Sequence, residues 1–377
     1  MSELTDVLSA IESLSARGER LALATIVAVR GSTYRRPGAR LIVPEEGPLV
    51  GNLSGGCLEN EVAQVARAVV EEGRARLVSF DLTADDEAVW GWGLGCNGAI
   101  DLFVEPAEKA AEVARALRMA VEEERPISLV TVLGSSVPGV EQGNRMLVRP
   151  DGGARGSLGD AALDAAARKA ALELLAHERS EVRTLPGSSG EASTFVEVLE
   201  PPLHLVICGA GHDVRPVVEA AALLGWAPII VDDRREFLSP DRFPDAATFV
   251  HVEHPEDVAD AAPIDERTFV VVMTHNYLRD KDYLRSLLGS PARYIAMLGP
   301  GARTERLLTE LREEGVSVTD EDLERIHGPA GLDLGAEGPE EIAAAIAGEI
   351  LAVKRGRDTG FLRDRKGPIH ERGAPEA

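Results

Sequence analysis

Three cysteines stand in this chain of 377 residues, and two of them are set in glycine. Cys57 follows Gly55 and Gly56 in GNLSGGCLENEV (51–62), at the head of an amphipathic stretch. A thiol at a helix N-terminus meets unpaired backbone N–H groups and the positive end of the helix dipole, which favour thiolate. Adjacent glycines let the backbone form a nest of N–H donors around an anion. Glu59 and Glu61 oppose this, because neighbouring carboxylates disfavour a second negative charge. Cys96 lies between Gly95 and Asn97, just before an apolar run. Either thiol has an alternative reading as a small buried hydrophobe, the common fate of free cysteine. Arg35, Arg36 and Arg40 cluster in RGSTYRRPGARLIV (30–43), a turn bounded by glycine and proline. Guanidinium groups suit phosphate or carboxylate; the alternative is that these three offset surface acids. Together these residues describe a site for an anionic, thiol-reactive or metal-bearing ligand.

A second set lies in the C-terminal half. In VICGAGHDV (206–214), Gly209 and Gly211 follow an apolar run and precede a helical pattern, and Asp232 and Asp233 end the next apolar run. That is the context of a dinucleotide fingerprint, with a tight turn, pyrophosphate at the helix start and a carboxylate on the ribose. Val214 stands where the third glycine belongs, and Asp213 would repel a pyrophosphate. A phosphate-bearing nucleotide at this turn and a Rossmann-like fold without one both remain open. Thr274, His275 and Asn276 fall at the end of another apolar run, either as ligand contacts or as a helix cap. LGPGAR (298–303) and the glycine-rich HGPAGLDLGAEGPEEIA (327–343) supply further turns, the latter with Pro339 as a helix start. His251 and His254 have a metal-like spacing but read as surface histidines, and Cys208 reads as core packing.

The elements that would position these residues follow from periodicity. A helix is expected over 4–16, a strand over 21–29, and a hairpin around 39–53. A helix follows Cys57 and ends at Gly73. Strands are expected at RLVSFDL and AIDLFVEP, a helix over 107–122, strands near 127–133 and 145–149, a polar helix over 160–178 and a strand over 194–199. No internal repeat or low-complexity tract is evident. From residue 203, short continuous apolar runs alternate with helical stretches, which predicts a doubly wound parallel sheet. The expected division is a domain over 1–199, a second over 200–354, and a disordered tail over 355–377, where charge and Gly/Pro punctuation dominate.

Composition narrows the function. The formal net charge of −23 disfavours nucleic acid and anionic membranes. No apolar run is long enough to span a bilayer, and the first twenty residues lack a signal-peptide core. Sparse cysteine fits a reducing cytoplasmic compartment. No nucleophile, base and orienting group assemble into an evident catalytic set.

The ordered set RGSTYRRPGARLIV, GNLSGGCLENEV, GLGCNGAIDLFVEP, VICGAGHDVRP, IIVDDR, VVMTHNY, RYIAMLGP and HGPAGLDLGAEGPEEIA resembles the XdhC/CoxI family of maturation factors for molybdenum hydroxylases. The resemblance implies an α+β N-terminal domain and a C-terminal Rossmann-like domain. It implies a chaperone that binds the molybdenum cofactor (molybdopterin) in sulfurated form and delivers it to an apo-hydroxylase such as xanthine dehydrogenase or carbon monoxide dehydrogenase. A cysteine desulfurase partner is a further implication; a homodimer is a separate expectation, for which the sequence carries no signature. On that analogy Cys57, and secondarily Cys96, would hold the cofactor or its sulfur. Gly55 and Gly56 would shape the backbone around it, and Arg35, Arg36 and Arg40 would meet the pterin phosphate. Gly209, Gly211, Asp232 and His275 would form the C-terminal ligand edge. The competing reading is an NAD(P)-dependent oxidoreductase using that edge.

Overall fold

The computed structural model describes residues 3–54, 56, 58–81 and 97–366, in two units, Glu3–Pro201 and the residues from Pro202 onward. In the first unit, helix α1 (Glu3–Ala16) buries Val7, Leu8, Ile11 and Leu14, the spacing read from sequence. Strand β1 (Leu21–Ser32) is the centre of a five-stranded antiparallel sheet. It is flanked by β2 (Arg40–Pro44) and β5 (Asn97–Pro106), with β3 (Val50–Gly51) and β4 (Arg76–Asp81) outermost. Helix α2 (Glu59–Glu72) lays Val62, Ala66 and Val69 on this sheet. It stops at Gly73, whose φ of 64° is the left-handed conformation that glycine adopts at little cost. Helix α3 (Ala107–Glu122) has the expected bounds. A second five-stranded sheet centres on β6 (Ile127–Ser135), flanked by β7 (Arg145–Val148) and β10 (Gly190–Leu199), with β8 (Ala154–Ser157) and β9 (Glu181–Gly187) outermost. Helix α4 (Ala161–Ala176) packs on it, capped by Asp160, whose side chain accepts from Leu163 N.

The two sheets correct the expectation of no internal repeat. Each is built from three strands, a helix and two strands, and each has the same order, β3-β2-β1-β5-β4 and β8-β7-β6-β10-β9. The register repeats as well. Thr25 faces Arg40 and Thr131 faces Arg145, while Leu23 faces Glu105 and Leu129 faces Glu197. One extra residue interrupts β1 at Val27 and β6 at Leu133. Those two bulged residues pack together with Phe103 and Phe195. The charges then cross between the repeats. Arg40 donates to both carboxylate oxygens of Glu197 at 2.7 and 2.6 Å, and Arg145 pairs with Glu105. The four side chains are almost fully buried.

In the second unit, β11 (His204–Cys208), β12 (Ala227–Asp232), β13 (Thr248–His251), β14 (Phe269–Val272), β15 (Tyr294–Met297) and β16 (Ile326–His327) form one parallel sheet ordered β13-β12-β11-β14-β15-β16. Alternate strand residues face opposite layers. Val206 and Val270 meet Leu284 and Leu287 of helix α7 (Tyr277–Leu288) and Leu307 of α8 (Gly301–Glu313). Ile207 and Val271 meet Val214 and Val217 of α5 (Val214–Leu223) and Ile346 of α10 (Pro339–Arg355). The doubly wound sheet is therefore as expected. Its strand order reverses between β11 and β14, and in open α/β sheets the carboxyl ends at such a reversal form the crevice where ligands bind. The tail differs from the expectation in part, since Leu362–Asp364 make a 3-10 turn; residues 367–377 lie outside the described set.

Candidate functional site

Two places carry the sequence candidates, one in each unit. In the first unit, Gly55, Cys57 and Cys96 lie outside the described residues. Gly56 is described: its φ is +112°, and a Cβ there would meet nothing within 4 Å, so backbone conformation rather than space calls for glycine. Beside that loop, the start of α2 carries an anion of the protein's own. The Glu59 carboxylate folds back and accepts from Ser54 N at 3.0 Å, Leu53 N at 3.3 Å, Leu58 N at 3.1 Å and Ser54 Oγ at 2.7 Å. Burial works against its charge, but the hydrogen bonds from Ser54 and these amides outweigh burial and hold its pKa below the ordinary glutamate value. Part of the positive end of the helix is thus already met by the protein's own anion.

The arginine turn divides. Ala39 N donates to Arg36 O at 3.1 Å and Thr33 Oγ1 donates to Arg35 O at 3.0 Å, closing a turn with Arg36 exposed and Arg35 half-buried. Arg40 does not share this surface. It opens β2, points between the sheets, and spends its guanidinium on Glu197 and on the Gly38 carbonyl at 2.8 Å. The grouping of all three arginines on one ligand is corrected for Arg40, which anchors the turn from beneath. Nothing in the local sequence announces this, because Glu197 lies in a distant strand.

In the second unit, the carboxyl ends of β11 and β14 meet at the strand-order reversal. Gly209 has φ +121°, and a Cβ there would lie 2.8 Å from Met273 O, so the two loops cross too closely for any side chain. Gly211 differs, since an added Cβ would lie 2.5 Å from Asp213 Oδ1, the end of a side chain that can shift, and its φ is not positive. Asp213 Oδ2 lies 2.6 Å from His275 Nε2, and His275 holds φ 57°, a left-handed conformation rare for a residue with a side chain. Asn276 caps α7, accepting from Leu278 N and Arg279 N. Thr274 donates to Asp280 at 2.5 Å, and Asp280 is also paired with Arg303 from the LGPGAR turn. Burial pushes the Asp280 carboxyl up.

Asp232 departs from the ribose-binding expectation. It is buried, and Arg234 reaches it through Nε and Nη2 at 2.8 Å each and through its amide at 2.8 Å. Burial opposes its charge, but the Arg234 bonds prevail and hold its pKa low. Asp233 is paired with Arg279 at 2.8 Å. Both carboxylates are therefore engaged within the protein. A cleft of about 890 Å³ opens beside Asp213 and His275, walled by Met273, Leu298 and the start of α10 with Glu337 and Glu340. Acid predominates there, and Arg215 in the wall is paired with Glu219 at 2.7 Å. The glycine-rich loop before α10 is tied down by Glu349, which receives Gly331 N at 2.8 Å, His327 and the Tyr294 hydroxyl. Cys208 is fully buried, and burial pushes its thiol up, as befits a core residue. His251 lies 3.3 Å from Asp233 O, and no cluster of three metal-ligating side chains occurs among the described residues. No helix among them is long and apolar enough to cross a membrane.

Residues 205–350 match the XdhC Rossmann domain, and residues 14–81 and 120–186 match the XdhC and CoxI family. The latter two segments fall on the two structural repeats. A protein of Bacillus subtilis described as a probable subunit of xanthine dehydrogenase is 29% identical over 92% of this chain and 96% of its own length. The molybdenum cofactor insertion chaperone PaoD of Escherichia coli is 24% identical over 92% of this chain and 86% of its own. A crystal structure described as a xanthine dehydrogenase from Bacillus halodurans is 29% identical, covers 94% of this chain and 97% of its own, and superposes with a TM-score of 0.75.

Proposed function

The chain belongs to the XdhC/CoxI family, and from that premise we propose that it is an accessory protein that binds the molybdenum cofactor, in its sulfurated form, and delivers it to a molybdenum hydroxylase in the cytoplasm. The observation that carries this reading is similarity along nearly the whole chain to a protein described as a molybdenum cofactor insertion chaperone. The chemistry agrees with it. Molybdenum accepts soft sulfur ligands, which gives Cys57 a role, and the cofactor's phosphate suits the exposed Arg36 and its neighbour Arg35. Cys96 is the second thiol candidate, although it falls in the stretch that the family match leaves out. A cysteine desulfurase and a second copy of the chain belong to the same proposal as partners.

The oxidoreductase reading is less well supported. At the turn where a pyrophosphate would rest, Asp213 is present and paired with His275, and Asp232 is saturated by Arg234. Either function makes a distinct prediction in one experiment. Titration with NADH and NADPH, beside molybdenum and pterin analysis of the purified chain, separates them. Cofactor without nicotinamide binding supports the chaperone. Tight nicotinamide binding with turnover of a carbonyl substrate would overturn it.

A further inference from the structure

The duplicated first unit offers an internal control for its buried charges. Arg40 and Arg145 open equivalent strands, β2 and β7, and each is paired with a threonine across the sheet, Thr25 on β1 and Thr131 on β6. Paired residues on neighbouring strands share a face, so in each repeat a hydroxyl lies beside the arginine stem. In the second repeat all three guanidinium nitrogens have partners. Arg145 Nε donates to Thr131 Oγ1 at 3.2 Å, Nη1 donates to the Lys109 carbonyl and to Glu112 at 3.3 Å each, and Nη2 meets Glu105. The first repeat departs from this pattern. Arg40 reaches both oxygens of Glu197 through Nη2 alone and the Gly38 carbonyl through Nη1. Its Nε is buried and has no partner among the described residues, on a side chain only 6% exposed. Thr25 therefore does not do for Arg40 what Thr131 does for Arg145. The same place holds a small cavity of about 10 Å³, whose polar lining is Thr25, Arg40, Glu105, Thr131, Arg145 and Glu197.

We propose that this cavity is a binding site for one water molecule, which accepts from Arg40 Nε–H and donates to Thr25 Oγ1. Size, charge and polarity point to the same ligand. A hole of this volume admits about one water and nothing larger. The two guanidinium and two carboxylate groups around it cancel in charge, so neither a cation nor an anion gains by entering. An interior water stays where it finds two or more polar partners. Arg40 Nε and Thr25 Oγ1 supply two, and Glu105, which meets Arg145 through Oε2, has Oε1 as a further acceptor. The water does in the first repeat what the Thr131 hydroxyl does directly in the second. It also completes the anchor beneath the arginine turn, because the same guanidinium holds the Gly38 carbonyl. This site stands or falls independently of the cargo proposal.

The test uses the full chain and has two arms. A crystal structure of the wild type, at a resolution that shows interior waters, should place one within hydrogen-bond reach of both Arg40 Nε and Thr25 Oγ1, and none at Arg145 Nε. Magnetic relaxation dispersion of water counts long-lived interior waters in solution. Thr25→Val should lower that count by one, because the water loses its acceptor. Thr25→Ser keeps the hydroxyl and should leave the count at the wild-type value, and Thr131→Val should not lower it. A map that resolves other interior waters and shows none here would overturn the proposal, as would a direct bond from Arg40 Nε to Thr25 Oγ1. An unchanged count in Thr25→Val, or the same loss in Thr25→Val and Thr131→Val, would overturn it too.

Discussion

Removing the Glu197 carboxylate should unfold the first unit more readily than removing its counterpart Glu105. Arg40 has a side chain only 6% exposed, and in the absence of Glu197 it keeps the Gly38 carbonyl as its partner among the described residues. Arg145 is as deeply buried, but without Glu105 it keeps Glu112 at 3.3 Å, Thr131 Oγ1 at 3.2 Å and the Lys109 carbonyl at 3.3 Å. Leaving one charge of a buried pair uncompensated costs about 3–5 kcal/mol. Glu197→Ala belongs at the top of that range and Glu105→Ala at or below its bottom. For a unit of this size each kcal/mol moves the midpoint by about 2–4 °C, so Glu197→Ala should lower it by roughly 10–20 °C. Replacing the whole pair, as Arg40→Met with Glu197→Leu, removes the orphaned charge and should return the midpoint to within about 1–2 kcal/mol of wild type. Calorimetric melting of the full chain measures all three. Equal losses in Glu197→Ala and Glu105→Ala, or a double replacement as damaging as the single one, would refute the reasoning.

Three other outcomes follow from the geometry. Gly209→Ala should cost about 1–3 kcal/mol from backbone strain alone, with the contact to Met273 O added, seen as a lower urea midpoint for the second unit. Glu59 has a lowered pKa, so its contribution is present above the unfolded glutamate value and is lost as pH falls through the folded one; melting of the wild type should therefore drop in mild acid more steeply than that of Glu59→Gln. His275→Gly should be more stable than His275→Ala by about 1–2 kcal/mol, because both lose the Asp213 bond and glycine alone is at ease at φ 57°; equal stabilities would contradict the strain.

Local patterns carried most of the fold. Continuous apolar runs announced β11, β12, β14 and β15 because a parallel strand covered on both faces has no polar alternation to display. Strand β8 escaped notice because its four residues are all exposed. The duplication escaped because it lives in register, bulge position and hydrogen bonds, while the residues carrying it have diverged. Glycine marks a backbone requirement at Gly209 and Gly56, where positive φ leaves few alternatives. Charged residues were legible by type but not by partner. Arg40 looked like a ligand contact until its mate turned out to be Glu197, and Asp232 looked like a ribose contact until Arg234 was found on it. A side chain's sequence neighbours do not reveal which distant charge the fold will bring to it.

The most direct measurement is molybdenum and pterin content of the full chain purified from a cofactor-producing host, with Cys57→Ser beside the wild type. Cargo binding through the thiol predicts molybdenum and pterin in matching amounts on the wild type and a severalfold loss of molybdenum on Cys57→Ser, with unchanged melting. Wild-type protein free of both, or equal loading of the two proteins, would contradict it.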